Sequence, residues 1–459
     1  MMNTNKSFAF FVCSILVAAS CQLKAAVSQS EAQRLGKDLT PIGAEKAGNK
    51  DGSIPAWNGG IKEAEIPKGF QSGSHYLNPF SDDKPLFTIT ASNVGQYKDK
   101  LTAGQVALFE AYPDTFKMPV YQTRRTARQP DRIYNNTRKA ATSAQLLSGG
   151  NGFSGAYDAY PFPIPQNGLE ALWNHIVRYR GEYVVRRASE VAVQRNGSYS
   201  LSTSQQEALI NYNLPGGSEA TLDNIIFYYL SFTRSPARLA GGAVLIYETL
   251  DQVQQPRQAW GYNAGQRRVR RAPNLAYDTP IASSDGLRTA DDTDMYNGAP
   301  NRYEWKLLGK KEIYIPYHNY RLISPDVTYD DLLTIGHVNP EYTRYELHRV
   351  WVVEGTLKPG ARHVYSKRVL HLDEDSWGAA VVDQYDGRGE LWRNSMAYLI
   401  NYYDRPTVWT GLDVYHDLRS RRYHAQGLAN EEAQYVNFEK AIPDLKYFKP
   451  SALRRRGRR

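Results

Sequence analysis

From Gly181 onward the apolar residues of this chain recur at every second position, and turn-forming residues cut the pattern into short runs. Tyr183, Val185, Val191 and Val193 share one parity, while Arg186, Glu190 and Gln194 share the other, as expected of extended strand with two unlike faces. Asn196-Gly197 is a hairpin signal. Ile226, Tyr228, Leu230 and Phe232 form another stripe, and Ala243 to Tyr247, apolar on both parities, reads as a buried strand. Residues 311 to 323, 345 to 355, 362 to 373, 378 to 385 and 390 to 400 continue the pattern. Pro359-Gly360, Asp373-Glu374-Asp375 and Asp386-Gly387-Arg388-Gly389 separate the last four. The fold class predicted is α+β, mainly antiparallel β, with a strongly curved sheet and helices packed on it.

The helices precede the sheet. Thr90 and Thr102 are N-cap candidates for helical structure over 90–111, ended by Pro113, and another helix is expected over 133–147. A third starts near Asn167 and carries Leu169, Leu172, Trp173, Ile176 and Val177 at helical spacing, with Gly181 closing it. Residues 149–165 read as loop. Residues 27–88, rich in Gly, Pro and Asn, read as an extended N-terminal arm ordered by Trp57 and Phe70. The organisation expected is a signal at 1–26, the arm at 27–88 and one domain at 89–459. That domain comprises helices over 90–180, a curved sheet over 182–400 and a polar C-terminal extension over 401–459.

Residues 1–26 hold no acid, and Lys6 precedes an apolar run from Phe8 to Ala19, which is the pattern of a secretory signal. Cleavage near Ala25 or Ala26 is one reading; a lipid anchor on Cys21 is the other. Both cysteines, Cys13 and Cys21, lie here, so the chain beyond has neither disulfide nor thiol chemistry. The formal charge of +9 sits largely at the ends, on Lys6, Lys24 and the arginines at 454, 455, 456, 458 and 459. That distribution argues against a nucleic-acid partner.

Catalytic motifs are missing. No Gly-x-Ser-x-Gly elbow, His-Glu-x-x-His helix or Gly-Lys-Ser/Thr phosphate loop occurs. Gly150 to Gly155 spells Gly-x-Gly-x-x-Gly, but Tyr157, Pro161 and Pro163 follow where the dinucleotide mechanism needs a helix. Asp291-Asp292-Thr293-Asp294 fails the calcium-loop rule because Asn297 and Tyr303 stand where glycine and glutamate are required. Asp373-Glu374-Asp375 fails it at Gln384. Both read as turns with solvated carboxylates. His348, His363 and His371 read as strand-face residues rather than a metal site. The arginines of the 267–271 cluster split by parity, so they do not form one phosphate-tracking groove. The sequence therefore assigns no catalytic residue, metal or cofactor.

The unusual component is aromatic: 33 tyrosines and eight tryptophans. Tyr228, Phe232, Tyr247, Trp260, Trp351 and Tyr365 are the candidates for lining an apolar groove that takes an acyl chain or other lipophile.

Several segments resemble the bacterial exported family called domain of unknown function 1329. They include Leu35-Gly36-Lys37-Asp38-Leu39-Thr40-Pro41, Ile54-Pro55-Ala56-Trp57, Pro161-Phe162-Pro163-Ile164-Pro165 and Trp173-Asn174-His175. Others are Tyr303 to Glu312, Tyr345 to Glu354, Asp373-Glu374-Asp375-Ser376-Trp377 and Asp383-Gln384-Tyr385-Asp386-Gly387. The family fold is similar to the LolA/LolB lipoprotein carriers. That resemblance implies an incomplete, half-open barrel covered by helices, with a cavity for lipid-like cargo and no enzyme activity. It also implies an exported, periplasmic protein working beside an inner-membrane export pump or an outer-membrane protein. Two readings follow: a carrier of a lipophilic cargo, which would open near residues 149–165, and a structural or assembly factor at the outer membrane that grips its partner with the arm and the arginine tail.

Overall fold

The computed structural model describes residues 27–456 except Pro273, Asn274 and Ala276. The expected signal, with Cys13 and Cys21, and the arginines at 458 and 459 lie outside the described residues. In chain order the elements are α1 (Gln29–Ala32), β1 (Phe87–Ile89), α2 (Ala103–Ala111), β2 (Met118–Tyr121), α3 (Asp131–Ser143), β3 (Gln145–Leu146), β4 (Phe153–Ser154) and α4 (Gly168–Val177). Then come β5 (Tyr183–Val193), β6 (Ser202–Leu209), α5 (Glu219–Leu222), β7 (Ile225–Ser235), β8 (Ala243–Thr249), β9 (Gln258–Asn263) and β10 (Arg268–Ala272). A long connection leads to β11 (Tyr303–Pro316), α6 (Tyr329–Leu332), β12 (Tyr345–Leu357), β13 (Lys367–Asp373), β14 (Ala379–Tyr385) and β15 (Leu391–Tyr402). The chain ends with β16 (Thr407–Asp417), β17 (Arg422–Leu428), β18 (Val436–Asn437) and α7 (Pro450–Arg456).

All strands except the β3–β4 ribbon join one 16-stranded sheet in the order β1-β2-β12-β13-β14-β15-β16-β17-β5-β6-β7-β8-β9-β10, with β11 on β12 and β18 on β5. Among the described strands of this sheet, the β2–β12 pairing is parallel and the others are antiparallel. The path has free ends at β1 and β10, so the sheet is a half-open barrel and not a closed one. It extends past residue 400: β16 and β17 are interior strands that join β15 to β5. Their buried Asp413 and His416, which point to opposite faces of β16, interrupt the apolar alternation, so the segment reads as a polar extension in sequence.

Both faces of the sheet are covered, which decides where a cavity can lie. On one face Val184 pairs across to Ala208, then Tyr229, then Ile246. This inner face is overlaid by the β10–β11 connection and α4, which meet where His175 Nε2 donates to the carbonyls of Asp294 and Tyr296 at 3.1 Å. The helix α4 is capped as its sequence requires, with Asn167 Oδ1 accepting from Glu170 N at 3.0 Å. On the outer face Leu209, Tyr228 and Tyr247 are cross-strand neighbours. They are covered by Phe448 and Leu453 from the C-terminal segment.

The N-terminal arm is pinned to the body by buried charge. Arg125 forms a bidentate pair with Asp375 (2.7 and 2.8 Å) and donates to the Glu45 carbonyl at 2.7 Å. Arg349 pairs with Glu374 at 2.7 Å and donates to the Ala47 carbonyl at 2.5 Å. The Asp373-Glu374-Asp375 turn is therefore not solvated: Arg125 and Asp375 side chains are each only 2% exposed. Trp57 Nε1 donates to the Ala127 carbonyl at 2.9 Å, and Phe70 packs between Tyr76 and Tyr403. Gly43, at φ +98°, passes so close to Pro163 that a Cβ would meet its carbonyl oxygen at 1.7 Å, so only glycine fits this crossing.

Removing one partner of a buried ion pair leaves the other charge uncompensated. Arg125→Met is expected to lower unfolding free energy by about 3–5 kcal/mol in urea titrations. It should also expose the 45–57 segment to proteolysis; unchanged stability would contradict the pinning role of this residue.

Candidate functional site

A cavity of about 210 Å³ opens between the inner face of β5–β8, β16 and β17 and the β10–β11 connection. The sheet supplies Val184, Arg186, Gln206, Ala208, Phe227, Tyr229, Ile246, Glu248, Trp409, Asp413 and Gln426. The connection supplies Ile281, Arg288, Thr293, Asp294 and Asn297, while Arg180 and Arg257 enter from strand approaches. Strand parity builds this wall: Arg186 pairs with Gln206, and Arg186 Nε donates to Gln206 Oε1 at 2.7 Å. Phe227, Tyr229, Ile246, Ile281 and Trp409 are half-buried and give the space its apolar part.

The polar part is densely paired at its back. Asp294 takes Arg178 (2.5 Å), Arg180 and the indole N–H of Trp409 (3.0 Å). Burial raises its carboxyl, but the Arg178 and Arg180 guanidiniums outweigh that and hold it well below the usual range. Burial brings Arg180 down to about 10. Glu248 is pushed up by burial, although Arg257 stands at 2.8 Å and Asn297 donates to it at 2.9 Å. Asp413 is pushed up to about 7, first by burial and then by the charge of Asp294. Its Oδ1 is buried without a hydrogen-bond partner, as are Thr410 Oγ1 and the Nε atoms of Arg180 and Arg288.

None of the six aromatic residues singled out in sequence borders this cavity. Tyr228, Phe232, Tyr247 and Trp260 lie together on the outer face under the C-terminal segment. Tyr228 packs on Tyr247 and Phe448, and Tyr247 donates to the Phe448 carbonyl at 2.7 Å. Trp351 stacks on Trp377 with Lys310 over its ring. Tyr365 is fully buried, donating to Asp292 at 2.9 Å and accepting from Arg393 at 2.8 Å. The physical reason is that period two separates two faces without saying which one encloses space. The polar parity of β5, with Arg186 and Glu190, turned inward. Residues 149–165 do not border the cavity either; its cover is the β10–β11 connection.

The other sequence candidates also find places. Asp291 and Asp292 are buried and not solvated: Asp291 takes Arg368 at 2.8 Å and His363 at 3.0 Å. The three histidines form three separate contacts, His348 on β12 with Glu346, His363 in the β12–β13 connection with Asp291, and His371 on β13 with the Val381 carbonyl. His348, Asp373 and Asp375 could converge on a cation, but Arg125 already occupies both Asp375 oxygens, and Ser376 and Tyr317 donate to Asp373. Those donors fit an ion-pair network better than a metal site. Arg267, Arg268, Arg270 and Arg271 are exposed at the β10 edge, where α7 brings exposed Arg454 and Arg455 onto the same strand.

A family model described as a protein of unknown function, DUF1329, matches residues 88–454. A protein of Pseudomonas aeruginosa, described as uncharacterised, is 52% identical over 436 residues, 95% of this chain and 95% of its own. Among solved structures, an outer membrane lipoprotein-sorting protein domain from Vibrio parahaemolyticus is similar at TM-score 0.42 and 14% identity, covering 62% of this chain and 98% of its own. A DUF1329 family protein from Desulfovibrio piger gives 0.39 and 15%, covering 60% and 92%. A LolA superfamily protein from Nitrosomonas europaea gives 0.35 and 14%, covering 62% and 97%.

Asp413 gives the cavity a signature in stability. Its carboxyl stands near 7 in the folded chain against 3.8 in the free residue, so the folded state holds the proton more tightly. The resulting stabilisation is complete below about pH 4 and is lost as pH rises through 7. Asp413→Asn is expected to flatten that slope and to be the more stable form at pH 8, by up to about 4 kcal/mol. Chemical denaturation across pH 4–8 checks this, and an unchanged slope would contradict it.

Proposed function

The chain belongs to the DUF1329 family, and from that premise we propose that it is a periplasmic carrier of a lipophilic cargo. The observation that carries this reading is the amphipathic cavity on the inner face of an open sheet. At about 210 Å³ it exceeds an engineered apolar cavity of ~150 Å³ that binds benzene. It falls short of the ~300 Å³ at which sites for drug-sized ligands begin. As it stands the space takes a ring or a short chain segment, and a longer cargo requires the β10–β11 connection to lift. Each 100 Å² of apolar cargo surface hidden there contributes about 2.5 kcal/mol, enough for reversible loading.

The acid-free segment at 1–26 supports export, and no helix among the described residues is long and apolar enough to cross a membrane. An inner-membrane export pump that loads the carrier and an outer-membrane protein that receives the cargo complete the proposed path. The role assigned is binding without a chemical step.

A second reading, a surface factor at the outer membrane, is favoured by the arginines of the β10 edge. Among the described residues, none of Arg267, Arg268, Arg270, Arg271, Arg454 and Arg455 has a carboxylate within 4 Å in the structure's ion pairs. The arm does not serve this reading, because its ion pairs hold it to the body. Clustered arginines of this kind are attracted to anionic lipid at about 1 kcal/mol each.

Two measurements test these readings. Ala208→Phe fills the cavity from β6 and is expected to weaken binding of the fluorescent lipophile N-phenyl-1-naphthylamine by about tenfold, or 1.4 kcal/mol. Tyr228→Ala, on the outer face, should leave binding intact; the opposite ranking, or no binding by the parent chain, would sink the carrier reading. Co-sedimentation with anionic vesicles is expected to fall in 0.5 M salt and on replacing Arg268, Arg270 and Arg271 by Gln. Salt-insensitive or absent sedimentation would remove the surface reading.

A further inference from the structure

The charges around the cavity do not cancel. Arg257 is matched by Glu248 at 2.8 Å, while Arg178 and Arg180 share the one carboxylate of Asp294. Arg288 stands 4.0 Å from Glu190, which His424 approaches at 3.2 Å. Arg186 has no such acid. Its guanidinium meets Gln206 through Nε and lies 5.5 Å over the Trp409 ring. Of the other acids along the wall, Glu207 turns its carboxylate to the outer face, where the hydroxyls of Tyr183 and Tyr447 donate to it, and burial pushes Asp413 up to about 7, so near neutrality Asp413 balances only part of a positive charge.

The donors are unmet as well as the charge. The Nε atoms of Arg180 and Arg288 and the hydroxyl of Thr410 are buried with no hydrogen-bond partner. Leaving such groups unpaired costs free energy that an incoming acceptor recovers. Arg is suited to that acceptor, because its planar fork matches the oxygens of a carboxylate or phosphate. Directly beside this polar end, Phe227, Tyr229 and Ile246 form an apolar wall across β7 and β8. Arg186 and Phe227 are half-buried, so the polar and apolar parts both communicate with the opening.

Resting on the carrier reading, we propose that the cargo is an acidic amphiphile, with its chain along Phe227, Tyr229 and Ile246 and its anionic head, a carboxylate or a phosphate, taken by Arg186. The head group replaces the acid that the wall lacks, and the chain replaces water against the apolar side. A neutral lipophile of the same length fills the second role alone.

Calorimetric titration of the purified protein with dodecanoate, dodecyl phosphate and dodecanol separates these contributions. The better-bound anion is expected to exceed dodecanol at least tenfold, and the order of the two anions tells carboxylate from phosphate. Arg186→Gln should bring the preference to within about twofold, because it removes the charged contact to the head group while leaving the apolar wall in place. Arg186→Lys should keep most of it, and Arg270→Gln, at the exposed edge, all of it. Equal binding of the alcohol and both anions, or a preference untouched in Arg186→Gln, overturns the acidic-head assignment while the carrier reading survives. Failure of all three compounds to bind overturns the carrier reading itself. Should Arg186→Gln not fold, the parent chain's ranking of the three compounds decides.

Discussion

Asp294 joins three parts of the molecule that the sequence keeps far apart: the end of α4 with the residues just after it, the β10–β11 connection and β16. Its carboxylate takes Arg178 and Arg180 from the stretch between α4 and β5, and Trp409 from β16; its carbonyl takes His175 from α4. The backbone there is left-handed, with φ 56° at Asp294 and 67° at Met295, a conformation that costs a non-glycine residue about 1–3 kcal/mol. The ion pairs offset that strain. Without them the β10–β11 connection would leave two buried guanidiniums uncompensated. With them, the connection lies over the inner face and encloses space instead of collapsing onto the sheet.

The two faces of the same strands consequently have opposite chemistry. The outer face of β7–β9 is aromatic and sealed by the C-terminal segment, so it contributes packing. The inner face mixes arginines and carboxylates with a strip of apolar side chains, and it borders a cavity of about 210 Å³. The aromatic face packs against the chain's own C-terminal segment, whereas the polar wall borders a cavity. At the other end of the sheet, Arg125 and Arg349 tie the arm to the β13–β14 turn.

Much of this architecture was legible in sequence. Asn167 and the stripe from Leu169 to Val177 specify α4, and the turn residues after Gly181 mark the hairpins. The opposite parities of Tyr183 and Arg186 on β5 state that the strand has two kinds of face. The assignment of the cavity was not legible, because the cover of each face comes from segments remote in the chain: Phe448 and Leu453 for one, Ile281 and Asp294 for the other. The burial of Asp291, Asp373 and Asp375 was hidden for the same reason, since their arginine partners Arg368 and Arg125 are placed by tertiary structure. The missing signal was the run of inward polar residues Arg186, Gln206, Glu248 and Asp413 on strands otherwise fit for burial. Polar residues at core positions mark either paired networks or binding sites, and here they make a paired network along a cavity wall.

The location of the cargo is tested most directly by photocrosslinking with decanoate carrying a terminal diazirine, followed by peptide mapping. Labelling is expected on the inner face, at Phe227, Tyr229, Ile246 and Trp409, and to be competed by unlabelled decanoate. Competed labelling on Tyr228, Tyr247, Trp260 or residues 445–456 would place the cargo on the outer face and contradict this reading of the fold.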